Sequence, residues 1–182
     1  MIYISILRGI NVSGQRKIKM ANLKDVYVSL GFQNVITYIQ SGNVIFKSNE
    51  EDTKKVAAEI EAAILKSFGF DVPVLVIELA RLTRVYTSNP FVNERHEDEA
   101  FLHVTFLEEN TDVHLLNKIT TDPKSTDEFV ISGSAIYLYC PNGYGRTKLN
   151  NNFFENKLKA KATTRNWKTI TNLVELASKI NS

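Results

Sequence analysis

Residues 35–47 read VITYIQSGNVIFK and residues 128–140 read EFVISGSAIYLYC, and these two stretches decide the fold. Each is a β-rich run broken by a short polar turn, Ser41-Gly42-Asn43 in one and Gly133-Ser134 in the other. That is the pattern of a tight hairpin. The two turns superpose at an offset of 91 residues, Ser41-Gly42 on Ser132-Gly133. The same offset lays Leu79 on Ile170, Leu82 on Leu173 and Val85 on Leu176, so the chain reads as a repeat.

Working outward, the first half gives strand, helix, strand, strand, helix, strand, helix. Ile2–Leu7 is a short apolar strand. Met20, Leu23, Val26, Tyr27 and Leu30 have helical spacing. Ser48-Asn49-Glu50-Glu51 has capping-box form before Val56, Ile60, Ile64 and Phe68. Val72–Ile77 is a buried strand, and Leu79, Leu82, Val85 and Tyr86 begin another helix. The second half repeats the order. A strand covers Phe101–Leu107, and a helix with Val113, Leu116 and Ile119 is capped by Asn110 or Thr111. After the hairpin come a helix near Lys148–Leu158, an extended piece at Lys161–Thr164, and a last helix carrying Trp167. The order predicts an α+β fold of two tandem ferredoxin-like βαββαβ units, residues 1–88 and 100–182, each with a trailing helix. Residues 89–99, polar and proline-containing, are expected to form a linker or an ordered crossover between them. In this reading the first and third strands of each unit lie side by side and parallel. The first strands are nearer 99 residues apart, so the first half holds about eight extra residues, which fit the basic segment Gly9–Lys19.

The chain has 182 residues, 43% apolar, 10% aromatic and 23% charged. That excludes collagen, disorder and coiled coil. Such a length buries roughly 70% of the unfolded surface without a metal or disulfide. The single cysteine, Cys140, forms no internal bridge, and no apolar run approaches the ~20 residues that span a bilayer. A cytoplasmic protein with no membrane partner is expected. Net charge is +2, unevenly spread. Residues 1–24 hold five basic residues and no acid, and residues 141–182 hold eight against two. The 116 residues between hold nine basic and eighteen acidic. Basic ends around an acidic middle suit an anion-attracting face.

Four polar, glycine-bearing segments stand out. They are Arg8–Lys17, Tyr38–Asn43, Pro141–Lys148 and Thr163–Trp167. Within them RGIN, YIQSGNV, PNGYGRTKL and TTRNW resemble the signature of the bacterial domain-of-unknown-function family 1697. The resemblance runs over essentially the whole chain. It implies two ferredoxin-like units and a bacterial cytoplasmic protein, and it brings no catalytic residues. Thr147 stands where relatives tend to have serine, and the hydroxyl is kept.

The candidate ligand-binding residues are Arg8, Gly9, Asn11, Gln40, Ser41, Asn43, Asn142, Gly143, Gly145, Arg146, Lys148, Arg165 and Asn166. Pro141–Lys148 is expected to pass from a strand through two glycines into a helix beginning Arg-Thr-Lys. Its backbone N–H groups and helix dipole would then meet an anion. Thr163 or Thr164 is expected to cap the last helix, placing Arg165 at a helix start. Arg8 ends an apolar strand, where a charge is expected to be paired or ligand-facing. Arg8, Arg146 and Arg165 are expected around one concavity, with Asn11 or Asn43 at its rim. The competing reading of each segment is a structural turn with solvated charges. No Walker A loop, G-x-G-x-x-G, metal-ligand spacing or Ser-His-Asp order is present, and no catalytic residue, metal or cofactor is assigned. His103 reads as structural and Cys140 as core. The reading is an anion-binding protein for a nucleotide, a phosphate or nucleic acid. The alternatives are an enzyme acting on a phosphorylated small molecule in a groove between the halves, or an oligomeric scaffold. Oligomeric state is not legible.

Overall fold

In the computed structural model, residues 1–108, 111, 115, 119, 125–133 and 135–181 are described. The chain divides into two compact units, Met1–Thr83 with Leu173–Ser182, and Arg84–Asn172.

The first unit runs β1 (Ile2–Leu7), α1 (Met20–Ser29), β2 (Gln33–Tyr38), β3 (Asn43–Lys47), α2 (Thr53–Phe68) and β4 (Val74–Glu78). The sheet order is β2-β3-β1-β4, and every pair is antiparallel. The first and third strands are therefore neighbours but not parallel. The chain leaving β1 consequently emerges beside the turn that enters β3. Tyr3 faces Phe46 and Glu78 in register, and Ser5 faces Val44 and Val76, so Tyr3, Ser5 and Leu7 share one face. That face joins Leu23, Val26 and Tyr27 of α1 and Val56, Ile60 and Ile64 of α2 in one core. All six residues of β1 are buried, as a central strand demands. Its one polar member is satisfied, since Ser5 Oγ lies 2.7 Å from Tyr27 Oη and donates to Val44 O at 3.3 Å. Burial raises the Tyr27 phenol far above its usual range. The cap of α2 is Asp52, which accepts from the Lys54 and Lys55 N–H groups. Ser48, expected in that role, closes a turn by accepting from Glu50 N–H.

α3 (Leu79–Thr87) carries the chain from the first unit into the second. There α4 (Pro90–Asn93) and a 3-10 turn (Glu99–Phe101) precede β5 (Leu102–Leu107), β6 (Glu128–Ser132) and β7 (Ala135–Tyr139). A second 3-10 turn (Tyr144–Arg146), α5 (Asn151–Leu158), β8 (Ala162–Asn166) and α6 (Trp167–Asn181) complete the chain. The sheet order is β6-β7-β5-β8, again antiparallel and the same order as in the first unit. Leu107, Ile136, Leu138 and Cys140 form its core with Leu149, Phe154, Leu158 and Ile119. The expected helix residues Asn110, Val113 and Leu116, with His114 and the turn residue Ser134, lie outside the described residues.

Residues 89–99 are held by caps and ion pairs of their own. Asn89 caps α4 by accepting from Phe91 N–H. The Arg95 guanidinium sits 5.1 Å from the Phe91 ring centroid and 5.4 Å from that of Tyr139, and it bonds both Glu97 and Glu128. Two helix starts differ from the sequence reading. α5 begins at Asn151, not Lys148, because Asn150 Oδ1 accepts from Phe153 N–H. α6 follows β8 with no loop, and its cap is Asn166, whose Oδ1 accepts from Thr169 N–H at 2.8 Å. Thr163 and Thr164 belong to the strand, where Thr164 meets Thr105 across the ladder and donates to Asn151 Oδ1. Trp167 is buried and stacks on Tyr86 with centroids 5.4 Å apart.

Candidate functional site

Strand β1 ends where Arg8 N–H donates to Pro73 O, and the following loop then folds on itself. Five of residues 9–16 have positive φ: Gly9, Asn11, Ser13, Gly14 and Arg16. Asn11 holds this path. Its Oδ1 accepts from Ile18 N–H, and its Nδ2 donates to Ile18 O, each at 2.9 Å. The same Nδ2 donates at 2.8 Å to Gln40 O, in the turn before β3. One amide thus closes the loop and ties it to the hairpin. Ile10 and Ile18 are buried and seat the loop on the core. A Cβ on Gly9 would lie 3.4 Å from Arg16 Nη1, so the Arg16 side chain folds back over the loop's start.

The hairpin fits beneath. Gly42 has φ +78°, and its carbonyl accepts from Leu7 N–H. A methyl there would stand 2.6 Å from Ile10 Cδ1 and 2.8 Å from Leu7 Cβ. Asn43 is fully buried, and its amide donates to Tyr38 O and Ser41 Oγ. Asn43 and Asn11, expected at the rim of a ligand site, therefore spend their side chains on the turn and the loop. What the assembly leaves on its surface is charge. Arg16, Lys17 and Lys19 are exposed and Arg8 is half-buried. Among the described residues none of Arg16, Lys17 and Lys19 is ion-paired with a carboxylate.

Two aliphatic side chains on the same loop and turn are also exposed. Val12 is 59% exposed and Ile39 46% exposed. Ile39, read from sequence as part of a strand running Val35–Gln40, lies just beyond β2 at φ +51°. A β-branched residue in this region is strained by about 1–2 kcal/mol. Sequence reasoning missed both residues, because an apolar letter inside a polar segment gives no sign of which way it points.

In the second unit Asn142 donates to Thr126 Oγ1, and Gly143 has φ +87°. Gly145 has ordinary φ and open space around it. The three-residue 3-10 turn Tyr144–Arg146 replaces the expected helix start, and the helix itself begins only at Asn151. Thr147 donates to Asp127 Oδ2 at 2.6 Å and accepts from Leu149 N–H. Arg146 and Lys148 are exposed. Arg165 lies in β8 opposite Val104, not at a helix start, and donates to Thr164 O. Burial lowers its pKa to about 10, against the pull of nearby Tyr144. The Tyr144 ring stacks on His103, with centroids 4.7 Å apart. The last two sequence segments therefore approach each other through Tyr144 and Arg165.

Burial shifts two groups of this unit, Cys140 and His103, toward their neutral forms. Burial, then Asp127, pushes the Cys140 thiol up to about 11, so it stays protonated near neutrality. Burial lowers the His103 pKa and keeps the ring neutral. Among the described residues no group of three or more His, Cys, Asp or Glu could hold a metal ion, and no helix is long and apolar enough to cross a membrane.

Comparison with known proteins gives the family and the fold. The family model described as a protein of unknown function, DUF1697, matches residues 1–137, and the chain belongs to that family. RGIN and YIQSGNV fall inside the matched residues, whereas PNGYGRTKL and TTRNW lie beyond them. The chain is similar to a solved structure described as conserved bacterial protein SP0830 from Streptococcus pneumoniae. The TM-score is 0.72 at 22% identity, covering 97% of this chain and 98% of that one. At that identity the likeness concerns the fold. No curated protein matches.

Proposed function

We propose that this DUF1697 protein binds the phosphates of nucleic acid through the loop from Arg8 to Lys19. The observation that carries the reading is the stapled loop itself. Arg8, Arg16, Lys17 and Lys19 stand on a backbone fixed by Asn11, with no acidic residue among them. Like charges gathered on one ordered loop repel one another in the free protein, and a polyanion relieves that repulsion. A fixed loop also loses little conformational freedom on binding, so more of the electrostatic attraction appears as affinity. Arg146, Lys148 and Arg165 of the second unit extend the basic character of the chain. We read each unit as a ferredoxin-like plait and the pair as an internal duplication. The shared strand order and the 91-residue offset support that reading. A phosphate ligand of this class fits a cytoplasmic protein.

The test is a titration of a labelled oligonucleotide, followed by fluorescence anisotropy across a salt series. Each phosphate neutralised on a duplex contributes about −0.9 to the slope of log K against log salt. Replacing Arg16, Lys17 and Lys19 by Gln is expected to reduce that slope by about 2–3. Its effect on stability should be within ~0.5 kcal/mol, because all three are exposed. Absence of binding, or binding indifferent to salt, would overturn the proposal.

A further inference from the structure

We infer that Val12 and Ile39 form an aliphatic wedge that enters a groove of double-helical nucleic acid while the cations of the same loop hold the flanking phosphates. The inference rests on the phosphate-binding reading and names the form of nucleic acid. Its main observation is Ile39. The side chain is 46% exposed, its φ is +51°, and it is β-branched. Folding alone favours Asn or Gly at such a place, since both adopt positive φ readily. An isoleucine there is strained without the compensation of full burial, which is the signature of a residue kept for contact with something outside the fold. Val12 is still more exposed and sits one residue from Asn11, whose amide bonds Gln40, the neighbour of Ile39. Two exposed β-branched aliphatics thus sit on two loops joined by one hydrogen bond.

Their surroundings select the occupant. Arg8, Arg16, Lys17 and Lys19 call for an anionic surface. Ser13, Gln15 and Gln40, all exposed, lie within three positions of one or other aliphatic along the chain and add hydroxyl and amide groups to the two loops. Amides suit the edges of base pairs in a minor groove and the sugar-phosphate walls beside it, whereas in the acyl region of a membrane they would be desolvated at a cost. Aliphatic side chains do not stack on splayed bases as aromatic ones do, so single strands gain little from this tip. Inserted at a base-pair step, the same side chains unstack and bend a duplex.

The experiment uses the full chain and a duplex of about 20 base pairs carrying a donor and an acceptor dye at its ends, a length short enough to be stiff when free. The wild type is expected to bind and raise energy transfer between the ends, preferring the duplex to the matching single strand. The double variant Val12→Ser/Ile39→Asn is expected to lose the rise in transfer and about tenfold in affinity. Its salt slope should be unchanged, because the cations remain. Ile39→Asn alone should leave the unfolding midpoint unchanged or higher, which a structural role for the side chain would not allow. A double variant that binds and bends like the wild type overturns the wedge while salt-dependent binding still supports phosphate recognition. A wild type that binds no oligonucleotide overturns both. Attachment to vesicles of anionic lipid, lost in the double variant and without duplex binding, overturns the wedge in favour of a membrane surface.

Discussion

Gly42 and Gly133 occupy the same place in their two sheets, each at the turn between the outer and the second strand, yet their surroundings differ. Both have positive φ, +78° and +58°. A methyl on Gly42 would collide with Leu7 and Ile10, whereas one on Gly133 would meet nothing within 4 Å. The difference comes from Ile10 and the chain beside it. In the first unit the path from Arg8 to Lys19 comes down over the hairpin, fixed by Asn11, and turns an ordinary tight turn into a packed junction. A repeated strand order therefore does not make the two hairpins equivalent. The first is specialised by what lies upon it.

The sharpest way to break this comparison is a pair of alanines. Gly42→Ala is expected to lower stability by about 3 kcal/mol, from strained φ and a clash that backbone must absorb. Gly133→Ala is expected to lower it by about 1 kcal/mol, from φ alone. Urea unfolding of the two variants measures both, and equal losses would show that the loop does not crowd the turn. Next in size is Asn11→Ala, which removes the bonds to Ile18 and Gln40 and should destabilise by about 2 kcal/mol. Asn11→Gly keeps the backbone freedom and removes only the amide. Faster hydrogen exchange at the Ile18 N–H in both variants would show that the side chain holds the loop, and unchanged exchange would show that it does not.

The smallest effect sharpens the contrast from the second unit, where the half-buried ring of His103 stacks on Tyr144. Its pKa is lowered in the folded state by burial, so the native form binds its proton less readily than the unfolded chain. Stability from this group is complete above the unfolded value near 6.5. It is lost as pH falls from there through the depressed folded value. The thermal midpoint should decline over that acid range, and His103→Gln should flatten the decline. A profile identical in the variant would assign the acid sensitivity to other groups.

Much of this architecture was legible in the letters. The polar turn between the β-rich runs of Val35–Lys47 and the four-residue steps Val56, Ile60 and Ile64 are plain in the letters. The first is plain because β3 is a buried strand, the second because one face of α2 is buried. Boundaries were harder. Thr163, Thr164 and Asn166 are all good helix caps by residue type, and only the ladder with β5 decides that the threonines are strand and Asn166 the cap. Strand direction could not be read from local pattern either, since β1 is buried along its whole length and such an apolar run is equally consistent with parallel neighbours. At the candidate site the sequence marked Asn11, Gln40 and Asn43 together. Whether an amide faces a ligand or a carbonyl depends on contacts between distant segments, and here carbonyls took two of the three.

The first unit counts residues 173 onward among its own, nearly ninety positions beyond the rest of it, and Leu173 and Ala177 there are fully buried. During synthesis this makes order of appearance a constraint. The strands and helices of residues 1–83 emerge early, but the segment that completes their unit is still untranslated until the intervening unit has been made. The nascent first unit must therefore wait with part of its apolar surface uncovered, at translation rates of about 5–20 residues per second. The second unit, continuous in the chain, carries no such delay. Ribosome-bound chains of this protein are thus expected to gain their first complete fold in the middle of the sequence and their last at its start.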